Sequence, residues 1–151
     1  VESEFVANVR RSAEELFASG LLCAESVVLA IAKSQGIESE LLPKVATAFC
    51  SGMSRTCGPC GALTGAVMGL GLVMGRDQST DSLLDSYVPT QKLIAEFEKE
   101  FGARNCNDLL GCDLGTPEGQ VVFSEKHLHR LCLQYTGKAA EIAARLIEPD
   151  V

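Results

Sequence analysis

The chain has no lysine or arginine cluster, and 13 basic against 20 acidic residues leave a formal net charge of -7. Nucleic-acid surfaces normally carry a basic stripe, so no nucleic-acid partner is expected. Histidine is scarce: His127 and His129 are the only two. Two positions apart, they would point to nearly opposite sides of a helix and could not readily chelate one ion together. No apolar run reaches the roughly 20 residues of a membrane-spanning helix. The glycine-rich apolar run, 61–75, is fifteen residues long and is bounded by Arg55 and Arg76, so no membrane span is expected. The first twenty residues carry Glu2, Glu4, Glu14 and Glu15 without an apolar segment. No signal peptide is expected there, and the reading is a cytoplasmic protein. Gly69-Leu70-Gly71 lacks the preceding strand of a nucleotide loop, and Gly61 after Cys60 rules out a Cys-x-x-Cys-His haem attachment. No Ser-His-acid arrangement can be argued from the spacing.

What the chain has in quantity is cysteine. Seven occur, at 23, 50, 57, 60, 106, 112 and 132. In a reducing compartment such a number points to metal binding or catalysis more than to a disulfide frame. An odd count cannot pair fully within one chain. Hydrophobic residues at 46% and charged residues at 22% suit a soluble globular chain. A length of 151 residues suits one domain, 1–151, able to bury a core without staples.

The periodicity predicts an all-α, single-domain bundle around a central glycine-rich apolar helix. Phe5, Val9, Ala13, Leu16 and Phe17 recur at helical spacing before Gly20, and a second helix is expected over about 22–35. Ser39 is placed to cap a third, short helix carrying Cys50. The run 61–75 reads as the buried central helix, with Gly61, Gly65 and Gly69 on one bare face. Each interior glycine costs about 1 kcal/mol relative to alanine, so close packing has to compensate. A helix interrupted or started afresh near Pro89, a strand candidate at Val121-Val122-Phe123, and two closing helices over about 124–135 and 138–148 complete the expectation.

Cys57-Gly58-Pro59-Cys60 sits where a loop becomes that helix. Unpaired N–H groups and the helix macrodipole favour thiolate at such a junction. Two thiols two residues apart can close a disulfide or chelate one metal. The four letters match the thioredoxin dithiol, but the strand that should lead into it is missing. Arg55 would favour a thiolate at Cys57. Cys106 and Cys112, six apart across Gly111, could meet in a second disulfide. His129 and Cys132 share a helix face, which makes His129 a candidate fourth ligand or proton partner.

Cys60 to Gly65 reads Cys-Gly-Ala-x-x-Gly, preceded by an isolated Cys23 and followed by single cysteines at 106 and 132. From about Leu21 to Gln134 this order resembles the redox-active C-GCAxxG-C-C family of small single-domain proteins. The resemblance implies a redox or metal role carried by Cys23, Cys60, Cys106 and Cys132. A related segment in split-Soret cytochromes has been associated with an iron–sulfur cluster. Cys50, Cys57 and Cys112 lie outside the four-cysteine pattern, as enlargements of the site or resolving thiols.

Three readings follow. In the first, the four dispersed cysteines hold an iron–sulfur cluster or another thiolate-bound metal, for electron transfer or redox sensing. In the second, Cys57 and Cys60 exchange disulfides with a redox partner protein or small thiol, and Cys106, Cys112 or Cys132 resolves. In the third, the chain is a non-catalytic, metal-stabilised interaction domain, with a homodimer possible through the glycine-faced helix.

Overall fold

The computed structural model describes residues 2–149. Among them it contains eight α-helices, one 3-10 turn and no strand. Ser3 starts α1 (Glu4–Ala18): its hydroxyl accepts the Val6 N–H at 3.1 Å, and Val6, Val9 and Ala13 form the buried stripe. The second helix, α2 (Cys23–Ser34), is capped by Glu25, which accepts the Leu22 N–H at 3.0 Å. A 3-10 turn over Lys44–Phe49 leads into α3 (Cys50–Arg55). Ser39 caps only a local turn, accepting the Leu41 N–H at 3.1 Å.

The glycine-rich run forms α4 (Gly61–Met74), and α2 packs along its bare face. A Cβ at Gly65 would lie 2.6 Å from the Ala24 carbonyl oxygen, and one at Gly69 would lie 2.3 Å from Ile31 Cδ1. Close backbone approach of α2 therefore compensates for the helix propensity these glycines sacrifice. The face marked by Gly61, Gly65 and Gly69 is thus occupied by α2 of the same chain. The end of α4 is less enclosed than a central helix would be, with Gly71, Leu72 and Val73 exposed. Three helices, α2, α4 and α8, pack against one another, and α1 lies across α2 and α8.

Pro89 does not divide α5 (Leu84–Phe101), which runs on to Gly102, left-handed at φ 81°. A short α6 (Cys106–Leu110) ends the same way at Gly111. Val121 to Phe123 form no strand but lie in α7 (Pro117–Glu125). Thr116 caps it by accepting the Gly119 N–H at 2.9 Å, and Pro117 supplies a preset first residue. Strong start signals outweigh the weak strand preference of two valines. The two expected closing helices are one, α8 (His129–Ile147). Gly137 does not break it: a Cβ there would meet Glu14 Oε1 at 3.0 Å and Arg10 Nε at 3.1 Å, so the glycine admits α1. No described helix is long and apolar enough to cross a membrane.

Candidate functional site

Cys23 is the first residue of α2, Cys60 the residue capping α4, Cys106 the first residue of α6, and Cys132 lies in the first turn of α8. All four line one cavity of about 140 Å³, with His129 and Tyr135 also on its wall. Phe17, Leu109, Leu110, Leu114 and Phe123 make the rest of that wall predominantly apolar. The Tyr135 hydroxyl donates to the Leu109 carbonyl at 2.9 Å.

Two local devices bring the sulfurs there. The segments before α4 and α6 pair through an isolated antiparallel bridge between Pro59 and Asn105. The Cys60 N–H donates to the Arg104 carbonyl at 2.8 Å, and the Cys106 N–H to the Gly58 carbonyl at 2.9 Å. Glycines then open space for sulfur. A Cβ at Gly61 would stand 2.3 Å from Cys23 Sγ, and one at Gly52 would stand 2.4 Å from Cys106 Cβ.

Gly52 belongs to the least ordinary backbone of the molecule. The α3 segment is a turn of left-handed helix: Ser51, Gly52, Met53, Ser54 and Arg55 all have φ between 58° and 67°. Each non-glycine residue there costs roughly 1–2 kcal/mol. The turn persists because its surroundings fix it: Thr56 and Gly58 N–H both donate to the Gly52 carbonyl, and Ser54 Oγ donates to the Ala48 carbonyl at 2.7 Å.

All seven cysteines are free thiols, so neither Cys57 with Cys60 nor Cys106 with Cys112 is bridged here. The thiolate preference expected at the helix starts is overcome by burial. Burial pushes Cys60 up to about 12 in spite of N–H donors from Ala62 and Leu63. It pushes Cys132 to about 12 and Cys106 to about 11, with neighbouring cysteines adding to both. Cys57 is half-buried and does not line the cavity; desolvation and then the Asp113 carboxylate raise it. Cys112, also off that wall, is raised by burial against the opposing charge of Lys126. Arg55 is exposed.

The family model described as "Putative redox-active protein (C_GCAxxG_C_C)" matches residues 21–146. The chain belongs to this family. It is also similar to a protein of Archaeoglobus fulgidus described as "Uncharacterized protein", 28% identical over 142 residues, covering 88% of this chain and 89% of that one. No solved structure matches. The C_GCAxxG_C_C cysteines named from the sequence are the four on the cavity wall. Sequence reasoning did not reach Gly52, Tyr135 and Phe17. Only Gly52 carried a signal, as a glycine inside a polar cysteine-bearing loop.

Among the described residues, no three His, Cys, Asp or Glu side chains stand close enough to hold a single metal ion. The sulfurs surround a space instead of converging on a point. A lone tetrahedral ion, with metal–sulfur bonds of about 2.3 Å, would need them drawn inward. A group of several heavy atoms fits that arrangement better, since roughly 150 Å³ of apolar cavity admits a benzene ring.

Proposed function

We propose that this chain is a small electron carrier or redox sensor in which Cys23, Cys60, Cys106 and Cys132 hold an iron–sulfur cluster. The observation that carries this reading is the presence of these four cysteines, remote in sequence, on the wall of one apolar cavity. Four cysteines are a complete ligand set for a [2Fe–2S] or [4Fe–4S] group. When bound, such a group supplies one-electron transfer. The chain's own part is to position the sulfurs from four helix starts, to exclude water with Phe17, Leu110 and Phe123, and to give up thiol protons. Because Cys60, Cys106 and Cys132 are pushed well above neutral, assembly releases protons and is favoured by rising pH.

The dithiol reading of Cys57 and Cys60 has less support. Cys57 stands off the cavity wall on which Cys60 lies, and the two thiols are not bridged. A metal-stabilised interaction domain would share the ligands but have no measurable redox couple. The partner is a redox protein or a small thiol.

Purification without oxygen, followed by iron, labile sulfide and visible absorption, tests the proposal. The expected result is a coloured protein with iron and sulfide in equal amounts and a reversible couple. A colourless, iron-free protein that still shows redox activity would sink it.

A further inference from the structure

Cys50 does not line the cavity, and the four-ligand reading gives it no role. Its surroundings are nevertheless specific. The thiol donates to the Ala46 carbonyl at 3.7 Å, and both the 3-10 turn and α3, at whose junction Cys50 sits, pack against α2, whose first residue is Cys23. Gly61 gives an independent measure. A Cβ there would stand 2.3 Å from Cys23 Sγ and 3.1 Å from Cys50 Cα, so one atom's width separates the sulfur of one cysteine from the main chain of the other. Closing a disulfide brings each sulfur to within a few ångström of its partner's main chain, and the Cys23 sulfur already stands at about that range from the Cys50 main chain. Glu25 ties the two segments together, accepting from the Leu22 N–H at 3.0 Å and from Thr47 Oγ1 at 2.8 Å.

We propose that Cys23 and Cys50 are a second redox site, a dithiol that closes to an intramolecular disulfide at the expense of a small-molecule disulfide. Cys23 faces the cavity and Cys50 lies outside its wall, so the incoming disulfide meets Cys23 first. The Cys23 sulfur, giving up its proton, bonds to one sulfur of the small disulfide. That S–S bond breaks, and the departing thiolate takes up the proton. Cys50 Sγ then bonds to the Cys23 sulfur, the mixed disulfide breaks, and the second small thiol leaves with the Cys50 proton. The two cysteines lose two electrons together, and the small disulfide is reduced to two thiols.

Closing this pair removes Cys23 from the four cysteines on the cavity wall. That consequence alone rests on the cluster reading: the closed disulfide and a bound cluster exclude each other, and oxidation in one place controls assembly in the other.

The test uses the full chain, reduced and freed of metal by a chelator, then treated with oxidised glutathione, blocked and digested with trypsin. Cleavage after Arg11, Lys33, Lys44 and Arg55 leaves Cys23 alone in 12–33 and Cys50 alone in 45–55. The expected product is those two peptides joined. In Cys50→Ser, peptide 12–33 is expected to retain a glutathione mixed disulfide, because the resolving thiol is gone. Cross-links dominated by 56–76 or 105–126 overturn the proposal, as does the absence of any 12–33 link in the wild-type chain. Should Cys50→Ser fail to fold, the wild-type map decides alone. Iron content reports separately on the cluster reading: an iron-free protein that still forms the link would sink that reading and leave the dithiol standing.

Discussion

The two ends of α8 bury polar groups in opposite ways. Toward its C-terminus the carboxylate of Glu141 is buried but meets three cations: Arg10 at 2.9 Å, Lys138 at 2.8 Å and Arg145 at 3.6 Å. Burial works to raise Glu141, yet Lys138 and Arg10 hold it at about 2. In its first turn, Cys132 joins three other cysteines around a cavity that no lysine or arginine lines among the described residues. There burial prevails, and the thiols remain protonated. Burial works to raise both kinds of group: at Glu141 the neighbouring cations outweigh it, and at Cys132 nothing of the kind opposes it. A set of thiols without a cation is one that a metal centre can complete, since coordination deprotonates a thiol outright.

The largest expected effect breaks the cavity end. Serine in place of any one of Cys23, Cys60, Cys106 or Cys132 should lower bound iron and sulfide by about tenfold or more, whereas Cys57→Ser and Cys112→Ser should leave both near the unsubstituted level. Loss of outer partners alone typically weakens metal sites by roughly 10–100-fold, so loss of a ligand should do no less. Iron per chain after anaerobic reconstitution measures it. Equal losses at all six positions would erase the distinction between wall and non-wall cysteines.

The four cysteines were legible because their order survives in the linear chain, and the all-α fold because its apolar spacing is helical from α1 onward. Val121 to Phe123 were misread because Thr116 and Pro117, which start α7, act before the valines do. The break expected between 135 and 138 spans Gly137, and a bare sequence cannot distinguish a glycine that ends a helix from one that makes room for Arg10 and Glu14. The left-handed turn at 51–55 had no sequence signature beyond Gly52, because it is visible only in the folded main chain, where the Thr56 and Gly58 N–H groups close on the Gly52 carbonyl. The approach of Cys50 to Cys23 was invisible for the same reason: it depends on α4 bringing Gly61 between them.

Next in size is the α2–α4 contact that carries Cys23 to the cavity. Gly65→Ala places a Cβ 2.6 Å from the Ala24 carbonyl oxygen and 2.9 Å from Ala24 Cα, so backbone has to move. A destabilisation of about 3 kcal/mol is expected in urea unfolding, at the upper end for overpacking. At the other end of α8, Glu141→Gln keeps the shape and removes the charge, for about 2 kcal/mol. Its linkage has a definite sign. With the folded carboxyl held at about 2, its contribution is present above the ordinary carboxylate range and lost as pH falls toward 2. The variant should therefore lose less stability on acidification over that window than the unsubstituted protein.

The smallest effects compare two glycine questions on either side of the Cys57–Cys60 loop. Gly71 lies in α4 with nothing within 4 Å of its Cβ position among the described residues. Gly71→Ala should therefore recover most of the ~1 kcal/mol that an interior helical glycine costs. Met53 presents the reverse case, a side chain held at φ 62°. Met53→Gly should relieve roughly 1–2 kcal/mol of left-handed strain. Greater freedom of the unfolded chain takes back about 0.5–1 kcal/mol of that. A net gain of about 0.5 kcal/mol remains, and paired urea titrations can resolve it. If Met53→Gly instead destabilises the protein, the Met53 side chain contributes more than its backbone costs, and the turn beside Cys106 is held by packing as much as by the hydrogen bonds to Gly52.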